Sequence, residues 1–158
     1  SEDEIEALLL GSQWVSGRAD PRLAAAARNT LAKIAAVLPA DMVGQLEASG
    51  LMVVPGAVEP DGVDLGIVRK AIRTERKLGI TYRDERGAET ARTIWPFALG
   101  YFERVRLVVA WCELRQAYRN FRSDRIVDWT ETDERYPRRR PALLKEWREV
   151  EGITTARN

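Results

Sequence analysis

The hydrophobic period of this chain changes near residue 78, and that change constrains the fold more than any other feature. Before it, apolar residues recur at helical spacing; after it, they alternate. A chain that switches once from period 3.6 to period 2 must keep its helices and strands in separate stretches, which predicts α+β. In the first stretch Ile5, Leu8, Leu9 and Ser12 follow an i, i+3, i+4, i+7 pattern, apolar except at the last position. Gly17 is expected to interrupt that helix. Asp20-Pro21 supplies an N-cap and a proline at the first helical position, where a missing N–H costs nothing. Leu23, Ala27, Leu31 and Ile34 then line one face of a second helix. Pro39 should open a third, carrying Met42, Val43 and Leu46, with Gly50 ending it and Leu51–Val54 adding a brief strand.

Residues 55–63 are rich in turn formers and read as a linker. Asp64 to Lys77 predicts a fourth helix, with Leu65, Val68 and Ile72 on its buried side. Five strands are expected beyond it: Leu78–Arg83, Ala88–Trp95 ending at Pro96, Val105–Leu114, Gln116–Phe121 and Arg125–Thr132. Asp84-Glu85-Arg86-Gly87 reads as the hairpin turn between the first two. One helix followed by five short strands suggests a helix-capped five-stranded barrel of the Sm-like or SH3-like kind. The expected organisation is a helical segment over 1–54, the linker, the barrel over 64–132, and a tail over 133–158. That tail holds Arg138-Arg139-Arg140 and a short helix around Leu143, Leu144 and Trp147.

Composition narrows the chemistry. The chain has no histidine, which removes Ser-His-Asp and Cys-His triads, the usual zinc ligand sets and the commonest general base. Lysine occurs only at 33, 70, 77 and 145, and no carboxylate pair stands out. An enzyme is not expected, and no cofactor or metal is implied. The lone Cys112 cannot form an internal disulfide and reads as an inert buried thiol, with a cytoplasmic setting as the default. No stretch approaches the ~20 apolar residues of a spanning helix. The net charge of +1 hides an asymmetry, because residues 1–60 hold eight acids and four bases. Beyond residue 60 there are eighteen arginines and three lysines. Arginine forks grip carboxylate or phosphate through paired hydrogen bonds.

Several pieces of the second stretch then match a known pattern in order. They are Ala71-Ile72-Arg73, Ile80-Thr81-Tyr82-Arg83 leading to Asp84 and Gly87, and Arg92 to Pro96. Val109-Ala110-Trp111-Cys112-Glu113-Leu114-Arg115 and Arg119-Asn120-Phe121-Arg122-Ser123-Asp124-Arg125-Ile126 complete the series. From about Val68 to Asp128 the chain resembles the WYL domain of bacterial DeoR-like or YafY-like helix-turn-helix regulators. The tripeptide that names the family falls on Arg106-Leu107-Val108, so a cation stands where the family has tryptophan. The resemblance implies an effector-sensing domain on an Sm-like barrel, with residues 1–54 similar to the helical connector that follows a DNA-binding domain. The first fifty residues are acidic and carry no basic recognition-helix pattern. A fragment of a longer regulator is expected, touching duplex DNA only through a missing N-terminal helix-turn-helix.

Between residues 92 and 125 seven arginines face three acids. That surplus points to an anion-binding surface, with Tyr82, Arg92, Arg106, Arg119 and Arg122 as candidate ligand-binding residues. Arg115 and Arg125 are second choices, since acids lie beside them. The expected ligand is an anionic small molecule, such as a nucleotide or phosphorylated metabolite, or single-stranded nucleic acid. A homodimer and no membrane partner are expected. The competing function is a dimerisation or protein-docking module whose arginines form a structural network. The five tryptophans are too scattered for a base-stacking platform and read as packing residues.

Overall fold

The computed structural model describes residues 1–153, without the side chains of 45–47. It divides into two compact units, Ser1–Ala57 and a second that starts at Val58. Leu46 of the expected apolar face, and residues 154–158 of the expected tail, lie outside the described residues.

The first unit holds α1 (Glu2–Arg18), α2 (Pro21–Ala35) and α3 (Ala40–Ala48). Gly17 does not interrupt α1. It sits in the last turn, where one glycine costs only about 1 kcal/mol against alanine. Ser1 caps the other end, its hydroxyl accepting from the Glu4 N–H at 3.3 Å. Asp20 caps α2 as its proline-led sequence suggested, Oδ1 accepting from the Leu23 N–H at 3.2 Å. Gly50 adopts φ 69° two residues beyond α3. Leu51–Val54 forms no strand; Leu51, Met52 and Val54 are exposed, and Val53 donates its N–H to the Gln13 side chain at 2.9 Å.

The second unit is built on one antiparallel sheet. Helix α4 (Leu65–Thr74) starts on Asp64, whose carboxylate accepts from the Gly66 N–H at 2.7 Å. It stops at Thr74 and does not reach Lys77, because Glu75 turns into the left-handed region and Arg76 opens β1 (Arg76–Arg83). The Glu75 carboxylate secures that turn by accepting from the Arg140 N–H at 2.9 Å and pairing with Arg139 at 3.1 Å. The Arg140 N–H chiefly, and Arg139, hold its pKa below the ordinary glutamate value. Asp84–Gly87 makes the expected hairpin turn. Gly87 has φ 84°, and the Asp84 carboxylate accepts from the N–H groups of Arg86 and Ala88.

Strand β2 (Glu89–Tyr101) does not end at Pro96. The register on β3 (Arg106–Cys112) slips between Pro96 and Ala98, so a bulge accommodates the missing N–H and the strand continues. β4 (Ala117–Arg122), a 3-10 turn at Ser123–Arg125 and β5 (Ile126–Arg135) follow. The sheet order is β4-β3-β2-β1-β5. No ladder joins β4 to β5, so the sheet is open where a closed barrel was expected; a three-residue turn carries the chain between those strands without pairing them. The sheet is nonetheless strongly bent. The Tyr82 ring on β1 meets Phe121 on β4 at 5.1 Å between centroids, although β2 and β3 lie between them in strand order.

Inside the bend, Leu78, Ile80, Ile94, Val108, Ala110, Phe121 and Ile126 form one core with Leu65 and Val68 of α4. On the outer face, Phe97, Val109 and Tyr136 pack with Leu143 of α5 (Arg140–Glu151). Full burial of Leu143 or Phe97 contributes roughly 1.5–3 kcal/mol each. Desolvation pushes the Tyr136 phenol up to about 12. Strand β3 is thus covered on both sides, in keeping with its apolar run from Leu107 to Cys112. Trp95, Trp111 and Trp147 pack around the outer core, Trp129 against the inner one.

Candidate functional site

The five expected ligand-binding residues divide by what already holds them. Arg106 opens β3 and is buried, with 9% of its surface exposed. Its Nη2 pairs with Asp61, and its Nη1 donates to the Glu59 carbonyl at 3.3 Å. Asp61 also accepts from the Ser123 hydroxyl. Around this node residues 59–63 are pinned to the sheet: Glu59 N–H donates to the Arg104 carbonyl at 2.9 Å and Gly62 N–H to the Ser123 carbonyl at 3.0 Å. Gly62 has no room for a side chain, since a Cβ there would stand 1.8 Å from the Ile126 carbonyl oxygen. The second half of the expected linker is therefore a strap across the start of β3 and the β4–β5 turn.

Tyr82 and Arg122 are brought together. The Tyr82 hydroxyl accepts from the Arg122 N–H at 3.3 Å, across the mouth of the bend. The Arg122 guanidinium grips Asp124 through two hydrogen bonds, at 3.0 and 2.8 Å. Those bonds raise the Arg122 pKa and hold the Asp124 carboxyl below the ordinary aspartate value. Arg92 stands opposite Ile80 on the inner face, where Nε donates to the Thr90 hydroxyl at 3.0 Å and Nη1 lies 3.7 Å from the Cys112 sulfur. It lines a shallow cleft of about 290 Å³ with Thr81, Asp128 and Trp129. Arg119, opposite Ala110, is exposed and makes no ion pair among the described residues. Of the second choices, Arg115 is exposed without an ion pair among the described residues, and Arg125 reaches Glu85 at 3.3 Å.

Of the five, the structure brings only Tyr82 and Arg122 together: Arg92 lines its cleft with residues of β1 and β5, and Arg119, opposite Ala110, alternates on β4 with Arg122, opposite Leu107. Sequence reasoning missed Asp61, because its partner lies forty-five residues away. It also missed a second concentration of cations. Lys70, Arg73, Arg76, Lys77 and Arg135 line a cleft of about 680 Å³ between α4, β1 and β5. The arginines of that cleft lie outside the segment from 92 to 125 where the surplus was counted.

The described residues contain no cluster of histidine, cysteine or acids able to hold a metal, and no helix long and apolar enough to cross a membrane. No curated protein matches the chain significantly. Among solved structures, proteasome accessory factor B/C (PafBC) of Arthrobacter aurescens is similar at 22% identity and a TM-score of 0.44. The match covers 61% of this chain and 15% of that one, so this chain spans a small part of that protein's length. The family model of the WYL domain matches residues 64–131, the stretch running from the cap of α4 into β5. The chain therefore carries a WYL domain.

Proposed function

We propose that this chain is the effector-sensing part of a bacterial transcriptional regulator, regulatory and not catalytic, binding an anion on the β4 side of the bent sheet. The observation that carries the reading is the junction of Tyr82, Arg122 and Asp124 beside the strap. Ser123, between Arg122 and Asp124, holds Asp61, and Asp61 holds Arg106. An anion that draws Arg122 off Asp124 acts one residue from the strap's anchor. Arg119 and Arg92 supply further charge, Tyr82 a hydroxyl, and Arg106 acts by fixing the strap.

The ligand is a nucleotide, a phosphorylated metabolite or single-stranded nucleic acid. The bent sheet is an opened variant of the Sm-like barrel, acting in the cytoplasm as a homodimer. Duplex DNA is reached through a helix-turn-helix outside this chain. For the ligand to switch anything it must bind one arrangement better than another; a tenfold difference corresponds to about 1.4 kcal/mol of coupling.

Fluorescence anisotropy with labelled nucleotides and short single-stranded oligonucleotides tests this. Saturable binding that falls with salt and weakens about tenfold in R119A/R122A supports it. One observation favours the alternative docking or dimerisation module: Arg83, Arg104, Arg106, Arg122 and Arg125 are each paired with an acid inside the unit. A dimer in sedimentation, with no anion binding at low salt, makes that the function.

A further inference from the structure

The cleft between α4, β1 and β5 presents five cationic side chains against two acids, Glu131 and Asp133. Two of the cations are neutralised. Lys70 pairs with Glu131 at 2.7 Å, and Lys77 with Glu113 and Glu134 at 2.6 and 2.7 Å. Arg73, Arg76 and Arg135 have no ion pair among the described residues; Arg76 reaches only the Asp133 carbonyl oxygen. Glu75, the acid at the α4–β1 junction, is held by Arg139 and the Arg140 N–H, and the charge of Arg135 adds a smaller share to the lowering of its pKa.

A second observation is independent of that charge count. Arg76 and Arg135 are cross-strand partners on β1 and β5, at the irregularity that shifts the register between Arg76 and Leu78. Like charges facing each other across an antiparallel pair are destabilising. The last turn of α4 accounts for Arg73, since a cation there complements the helix C-terminus. It does not account for two strand arginines set opposite one another. Such a pair is stable in company with an anion that both can grip.

We propose that this cleft is a binding site for a small phosphorylated molecule, with Arg73, Arg76 and Arg135 holding its phosphate. Three guanidiniums without an ion pair among the described residues call for more charge than one carboxylate carries, and a phosphate ester brings about −1.5 to −2 at neutral pH. The volume of about 680 Å³ falls within the roughly 300–1,000 Å³ of small-molecule sites. The site is independent of the sensor reading, because it uses α4, β1 and β5 and none of the residues proposed on the β4 side.

The test is calorimetric titration of the chain at low salt with inorganic pyrophosphate and with a nucleoside diphosphate. R73Q, R73Q/R135Q, the control R86Q, and R92Q/R119Q to report the other proposed site are titrated alongside, with circular dichroism reporting folding. Saturable binding is expected in the parent, weakened about tenfold or more in R73Q/R135Q and unchanged in R86Q, whose side chain lies on the hairpin turn outside both proposed sites. Tighter binding of the diphosphate than of pyrophosphate identifies a nucleotide; equal binding identifies the phosphate alone, and both support the site. R73Q replaces one exposed side chain, so its weaker binding carries the test if the double variant does not fold. Undiminished binding in R73Q, absence of binding in the parent, or loss confined to R92Q/R119Q overturns the assignment. A single-stranded oligonucleotide that binds through these arginines, and that pyrophosphate cannot displace, overturns the small-molecule reading.

Discussion

Arg106 and Arg122 on one side of the sheet and Arg76 and Arg135 on the other are the same side chain placed under opposite rules. On the β3–β4 side an acid comes to each arginine: Asp61 from the strap, Asp124 from the turn that follows. On the β1–β5 side two arginines are set opposite each other with no acid paired to either among the described residues. The first arrangement spends charge on holding the chain together. The second leaves charge unspent, and only something from outside the fold can use it. Arginine count alone does not distinguish these cases; the position of the nearest acid does.

The comparison is easiest to break at Arg106. Arg106→Ala leaves the half-buried Asp61 with only the Ser123 hydroxyl and no cation, and should cost about 3 kcal/mol in denaturant unfolding. Arg119→Ala, at an exposed unpaired position, should stay within about 0.5 kcal/mol of the parent. Equal effects would show that the strap is not held as described. Gly62→Ala tests the strap without touching charge. Its Cβ would overlap the Ile126 carbonyl oxygen, and a loss of about 2 kcal/mol is expected. Retention of parental stability would mean the strap can lift freely.

A smaller effect concerns acid. Asp124 is held below its ordinary pKa by Arg122, and Glu113 below its own by Lys77 and by the Trp95 indole N–H. A carboxyl with a lowered folded pKa stabilises the native state fully above its unfolded value, 3.8 for Asp124 and 4.5 for Glu113. That contribution is lost as pH falls through the lowered folded value. The melting temperature should therefore be flat from pH 7 to about 5 and fall below about 4.5, with a shallower fall in D124N/E113Q. Parallel falls in parent and variant would remove these pairs from the account. The smallest effect sharpens the other side of the comparison. Arg135→Gln should stabilise the phosphate-free protein by about 0.5 kcal/mol, because it removes a like-charge pair. Destabilisation would mean that Arg135 already has a structural role.

Local signals in the chain were readable where one residue does one job. Asp20 caps its helix, the fourth helix begins at Asp64, Asp84 to Gly87 turns the hairpin, and the apolar run of β3 is buried on both faces. Breaker residues misled where context absorbs them. Gly17 rides in a helix end, and Pro96 sits at a bulge instead of ending its strand. The candidate site was the least legible part. The acid that claims Arg106 lies outside the arginine-rich segment, and Arg76 and Arg135 become neighbours only through β1–β5 register. Counting charge along the chain found an excess of arginine but could not locate which of it stays uncompensated.

The missing ladder between β4 and β5 leaves those two strands as the rims of the sheet, and a sheet rim can template a further strand. Neither rim is inviting. β4 is six residues long and presents Arg119 and Arg122, while β5 carries Glu131, Asp133, Glu134 and Arg135 in close succession. Short length and ionised side chains discourage edge-to-edge stacking of one molecule on the next. Open-ended polymerisation through the sheet rims is thereby disfavoured.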